Sequence, residues 1–172
     1  FNGIGKWEGK PLSNLRNMLS WAKNMQPYVV IADSDIMTPH DLDGAKFCCG
    51  ARGSACEATC EMTLKSLGIE PEFFRGSLAD ATNAMKDRRL DGVLKTSCGN
   101  KPDASFLELQ TYLELRPINW PVELLEKVKE DYPYFSTGVI PAGTFNGKTE
   151  DANSWSVVIG EWCTSDLSEE VG

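Results

Sequence analysis

Residues 41–68 read DLDGAKFCCGARGSACEATCEMTLKSLG, a short apolar strand that runs through Gly50, Ala51, Arg52, Gly53 and Ser54 straight into an amphipathic helix. A chain built this way is committed to packing helices against a sheet, because strand and helix follow each other with almost no slack. Gly50 and Gly53 permit positive φ and close approach to the backbone, and the first turn of the helix leaves N–H groups without intrahelical acceptors. Two readings follow: an ordinary strand-to-helix turn with Ser54 as N-cap, or an anion cradle at a helix start to which Arg52 adds a positive charge. More familiar nucleotide loops are excluded. There is no lysine for a P-loop, and only Gly-x-x-Gly where a dinucleotide fingerprint needs Gly-x-Gly-x-x-Gly.

Strand and helix alternate along most of the remaining chain. YVVIA at 28–32 is a continuous apolar run, as expected of a buried strand. After the helix at 54–67, Gly68 supplies a stop, residues 72–75 form a short strand, and Ser77 with Asp80 opens a second helix with a capping-box start. A third strand follows at 92–96. The order βαβαβ implies a parallel sheet with right-handed crossovers, and ligands of such sheets bind beyond the carboxyl ends of the strands. The two loops at those ends are residues 50–54 and 96–100. The second, Thr-Ser-Cys-Gly-Asn, offers Ser97 and Gly99, with Lys95 just before it; the same residues are also generic turn chemistry.

Outside this block, Leu12, Leu15, Met18, Leu19 and Ala22 recur at helical spacing, which predicts a helix over 11–25 capped by Ser13 or Asn14. Short helices are predicted at 105–113 and after Pro121, the latter with proline at the first helical position. The segment 132–143 is aromatic and punctuated by proline. SWSVVIGEWC at 154–163 reads as a strand, and Asp166 as the start of another helix.

The 172 residues, 41% of them hydrophobic, suffice for a core. A net charge of −8 disfavours nucleic acid and anionic lipid as partners but leaves room for a small anion, which responds to a local field. No apolar run is long enough to span a bilayer, so direct membrane insertion is not expected. Phe1 stands where an initiator methionine would, giving the expectation of a processed chain or a fragment.

Six cysteines are many for this length. Cys48 and Cys49 alternate on a strand, and Cys56 and Cys60 share a helix face, so neither pair is placed to bridge itself. Bridges between elements, such as Cys98 with Cys163, remain open, and buried thiols packing as small hydrophobes are the expectation. No Cys-x-x-Cys motif is present and His40 is the only histidine, so no metal site is expected.

The segments DLDGAKFCCGARGSACE, SLGI, SLADATNAMKDRRLDG, GNKPDASFLEL, EDYPYF, VIPAGTFNG and DLSEEV, in that order and across most of the chain, closely resemble the TAXI solute receptors of TRAP transporters. The resemblance implies an α/β fold of the periplasmic-binding-protein type II kind, with a parallel-rich sheet and helices on both faces. It also implies a periplasmic or extracytoplasmic protein with a secretory leader in its precursor. Such a receptor catches a small organic carboxylate, glutamate-like or a dicarboxylate, between two lobes and hands it to TRAP membrane subunits, with no cofactor and no catalysis. Residues 53–55 align with the family's Gly-Ser-Gly-Thr ligand loop, and here alanine and cysteine replace the usual glycine and threonine, removing one hydroxyl.

These family receptors begin with a glycine- and threonine-rich loop in the first lobe that this sequence does not supply. The expectation is therefore one complete lobe at 41–140, with 1–40 and 141–172 as a partial first lobe carrying the crossing strands. The candidate ligand-binding residues are Gly50, Arg52, Gly53, Ser54, Ala55, Cys56, Ser97 and Gly99. Two competing readings remain: a thiol enzyme with Cys56 as nucleophile at a helix start, for which no base is evident, and the effector-binding domain of a transcription regulator.

Overall fold

The computed structural model describes residues 8–98 and 101–168. Strands β1 (Leu15–Gln26) and β2 (Tyr28–Ile31) are followed by a one-turn 3-10 helix at Pro39–Leu42 and then by β3 (Lys46–Cys48), α1 (Ala55–Ser66) and β4 (Glu72–Phe73). Next come α2 (Leu78–Lys86), β5 (Gly92–Leu94), β6 (Ser97–Cys98), α3 (Ala104–Leu109) and β7 (Leu115–Pro117). The series closes with α4 (Val122–Asp131), β8 (Ser136–Ile140) and β9 (Ala152–Thr164). None of these helices is long and apolar enough to cross a membrane.

The compact unit Asn24–Val157 is organised by a five-stranded sheet of order β4-β3-β5-β2-β7. Strand β3 pairs in parallel with β4 and with β5, Phe47 standing opposite Phe73 on one side and Gly92 on the other. Only β2 runs against the rest, antiparallel to both β5 and β7. Alternation along these strands divides the core in two. Tyr28, Val30, Phe47, Cys49 and Leu94 face Cys60 and Leu64 of α1 and Leu125 and Val128 of α4. Val29, Ile31, Cys48 and Val93 face Ala81, Ala84 and Met85 of α2 and Phe106 and Leu109 of α3. The result is the expected α/β class, a parallel-rich sheet with helices on both faces. Each large side chain buried in these layers contributes about 1.5–3 kcal/mol of transfer free energy.

Both helices that follow parallel strands start as the sequence predicts. Ser54 caps α1 by accepting from the Glu57 amide, and Ser77 and Asp80 form a reciprocal capping box on α2. Pro121 sits one position earlier than expected, at the N-cap of α4.

Several expectations give way. Residues 15–26 are a strand, not a helix: β1 hydrogen-bonds between β6 and β9, and its helically spaced apolar residues gather on no buried face, Met18 and Leu19 both being exposed. Pairing with a long β-branched strand outweighs local spacing here. The segment at 132–143 contains β8, which pairs with β9 from Ser136 opposite Ser156 to Ile140 opposite Ala152. Asp166 lies in a turn, and the residues after 168 fall outside those described.

Contacts gather 24–157 into one compact unit, wider than 41–140. Strand β2 sits inside the same sheet as β3 and β5, so 24–40 and 141–157 belong with it. The other unit, described over 8–23 and 158–168, is made of the outer part of β1 and the end of β9, and it exposes Leu19, Trp21 and Val158.

Candidate functional site

The loops after β3 and β5 both leave the sheet at the carboxyl ends of parallel strands. In the first, Gly50 takes φ +104° and Gly53 φ +78°. Gly50 is required for space as well as for its torsion: a Cβ there would come 2.8 Å from Cys56 Cβ and 3.3 Å from Ser54 Oγ. The loop therefore lies flat against the first turn of α1.

That first turn is partly satisfied by its own side chains. The Glu57 amide donates to Ser54 Oγ at 3.2 Å, and the Gly53 amide donates to Glu57 Oε2 at 2.6 Å. Arg75 holds the same Glu57 carboxylate at 2.5 Å and Glu61 at 2.6 Å. The amides of Ala55 and Cys56 are the donors at helix positions that have no intrahelical acceptor. Arg52 and Ala55 are exposed, and among the described residues Arg52 forms no ion pair. What the loop offers an anion is thus two helix-start amides, the Ser54 region and one unneutralised guanidinium. Gly53 is the exception among the expected donors, since its N–H already serves a carboxylate of this chain.

The second loop reaches the first through Thr96. Cys56 Sγ donates to Thr96 Oγ1 at 3.8 Å, the contact that brings the two loops together. Ser97 turns the other way: it pairs with Met25 of β1 and lines a small cavity with Met25, Pro27, Ile140 and Phe145, where its hydroxyl is buried. One step along an extended chain reverses a side chain, so Thr96 and Ser97 cannot both face α1. Gly99 lies outside the described residues. Lys95 is bound to Asp103 Oδ1 at 2.5 Å and to Ser105 Oγ at 2.8 Å, where Asp103 also caps α3. Burial works to raise the Asp103 pKa, but hydrogen bonds from Lys95 and Ser105 outweigh it and hold the carboxyl below its ordinary range.

A covalent bond braces the first loop. Cys49, the residue after β3, is disulfide-bonded to Cys60 in α1, with Cα atoms 5.6 Å apart. The bridge takes one cysteine from each of the two local pairs, 48/49 and 56/60, across the strand-helix interface, so the spacing within either pair does not point to it. Cys163 carries a free thiol, which removes the bridge to Cys98. Cys48 is also free, and burial pushes its thiol pKa up. Among the described residues no group of three or more His, Cys, Asp and Glu could hold a metal ion. His40 is exposed on its 3-10 turn, while the hydrogen bond of the Cys56 thiol goes to Thr96.

The sequence matches the NMT1-like family over residues 1–172, its full length. The chain belongs to that family. Among solved structures, this NMT1-like chain is similar to the periplasmic aliphatic sulphonate binding protein SsuA from Escherichia coli, at 19% identity over 62% of this chain and 36% of that one, with a TM-score of 0.48. It is similar to the probable amino-acid ABC transporter extracellular-binding protein ytmK from Bacillus subtilis, at 12% identity over 90% and 52% of the two chains and a TM-score of 0.47. Arginine-bound truncated ArgBP from T. maritima is a third, at 20% identity over 69% and 59% and a TM-score of 0.44. The NMT1-like chain thus spans 36% to 59% of the length of these matched chains.

Three participants in the site escaped the sequence reading. Thr96 was visible as part of a hydroxyl-bearing loop, but its facing depends on the phase of the strand before it. Glu57 carried a signal, the Ser-x-x-Glu spacing of a capping box, although its carboxylate reaches Gly53 and not the cap residue itself. The Cys49–Cys60 bridge carried none beyond cysteine count.

Proposed function

We propose that this NMT1-like protein is the solute-binding component of a transporter, of the periplasmic-binding-protein type II fold and the TAXI kind that serves TRAP membrane subunits. It captures a small organic carboxylate over the paired loops after β3 and β5 and works outside the cytoplasm without catalysis. The observation that carries the reading is the meeting of those loops at Cys56 and Thr96, over the start of a 12-residue helix at the carboxyl end of a parallel sheet. Arg52 supplies the charge, Ser54, Ala55 and Cys56 the helix-start contacts, and Gly50 the clearance. Gly99 belongs to the same proposal by its place in the second loop, and Ser97 supports that loop from its buried side.

Two further observations favour this assignment. The Cys49–Cys60 disulfide belongs in an oxidising compartment, in keeping with a periplasmic or extracytoplasmic address. The Cys56 thiol donates to a threonine hydroxyl and not to a base, which fits a binding surface better than a nucleophile.

A thermal-shift screen of dicarboxylates and amino acids tests the reading. A ligand at a hundred times its Kd stabilises by about 2.7 kcal/mol, a readily measured rise in Tm. We expect one small acid to produce it, with Arg52→Ala and Thr96→Val each removing most of the rise. A rise that both variants keep in full would move the solute to another surface.

A further inference from the structure

Four of the six cysteines fall within residues 48–60, and the structure sorts them by role. Cys48 points into the core shared with α2 and α3, away from the other three. Cys49 and Cys60 form the bridge in the opposite layer, and the free thiol of Cys56 packs against that same cluster. Cys56 and Cys60 are one helical turn apart on one face of α1, a spacing that brings side chains within about 5–6 Å. Cys49 is adjacent in sequence to Gly50, whose absent Cβ is what leaves room for Cys56. A partly exposed thiol therefore flanks a disulfide on its loop side, with three sulfurs along one strip of the strand-helix interface.

We propose that Cys56 exchanges with this disulfide, so that the protein has a second bridged form, Cys49–Cys56, which closes only the loop 50–55. Cys56 gives its proton to solvent and its thiolate attacks Cys49 Sγ. The Cys49–Cys56 bond forms as the Cys49–Cys60 bond breaks, and the electron pair leaves on Cys60 Sγ, which takes up a proton. No net oxidation occurs, and no outside oxidant or reductant is consumed. The consequence is local: Cys56 leaves Thr96, and the loop is tied to the first turn of α1 in place of the next one. Cys48 is unsuited to the same step, being turned to the other layer and held protonated by burial.

The exchange acts on the loop proposed to bind solute, yet its test needs no solute. Trypsin and Glu-C together cut after Arg52, Glu57 and Glu61, which places the sulfurs on separate peptides, 47–52, 53–57 and 58–61. The full chain carrying Cys48→Ala is held at mildly alkaline pH, quenched in acid, blocked with N-ethylmaleimide and digested. The expected result is a gain of the linked pair 47–52 with 53–57 at the expense of 47–52 with 58–61. Recovery of only the latter pair, with Cys56 fully blocked, overturns the proposal.

Cys60→Ser gives an independent reading in the same Cys48→Ala background. Two thiols at 49 and 56, treated with glutathione disulfide, should close to one bridge with release of two glutathione molecules. Stable glutathione adducts on both, in a chain whose far-UV circular dichroism is unchanged, likewise overturn it. Failure of the solute proposal would leave both results untouched.

Discussion

The loop after β3 and the loop after β5 occupy equivalent places in the sheet but are held by different forces. Residues 50–54 are pinned by a disulfide behind them, by a glycine, Gly50, that leaves no room for a side chain, and by a carboxylate folded back onto a backbone amide. Lys95, after β5, is tied by an ion pair to Asp103, and the same carboxylate caps α3. A covalently braced loop presents fixed donors, whereas an electrostatically braced one follows the charge state of its brace. Under the proposed function, recognition would divide accordingly: the first loop offers rigid helix-start contacts, and the second brings Thr96 to them.

The difference is sharpest under reductant. Reducing the Cys49–Cys60 bond should lower global stability by about 2–4 kcal/mol, read as a drop in urea midpoint, because the constraint on the unfolded chain is lost. An unchanged midpoint would mean that packing between β3 and α1 holds the loop alone. Gly50→Ala comes next, with an expected loss of about 1–3 kcal/mol from the left-handed backbone and the overlap with Cys56. A neutral result would show that the loop can shift away from α1, contrary to a rigid first loop.

Smaller effects belong to the second loop. Asp103→Ala removes the α3 cap and should cost about 1 kcal/mol by the same denaturation measurement. The pH dependence has a definite sign. Because the folded Asp103 pKa lies below its ordinary 3.8, its contribution is complete above that value and is lost as pH falls through the lower folded one. Stability measured from pH 5 downward should therefore fall less steeply in Asp103→Ala than in the native chain. Equal slopes would place the acid sensitivity elsewhere. The disulfide takes up no proton in this range, so acid and reductant probe the two loops separately.

Much of this was legible without coordinates. The capping serines at 54 and 77, the glycine stop at 68 and the apolar run at 28–31 are local signals, each with a cause within a few residues of itself. They fix the βαβαβ order and with it the place where two loops converge. Family membership rests on the whole sequence. Residues 15–26 show where local reading ends: leucine and methionine at helical spacing form a strand because β9 is available to pair with them.

The sequence by itself determined which segments are strand or helix near the candidate site and which loop could offer backbone donors, since caps and glycines act over one turn. Only tertiary structure decided that Thr96 and not Ser97 meets Cys56, that Cys49 bonds to Cys60, and that Glu57 occupies the Gly53 amide. Those three outcomes depend on the phase of one element against another. That phase is set by how both faces of the sheet fill their cores, a sum over distant residues that no short stretch of sequence contains.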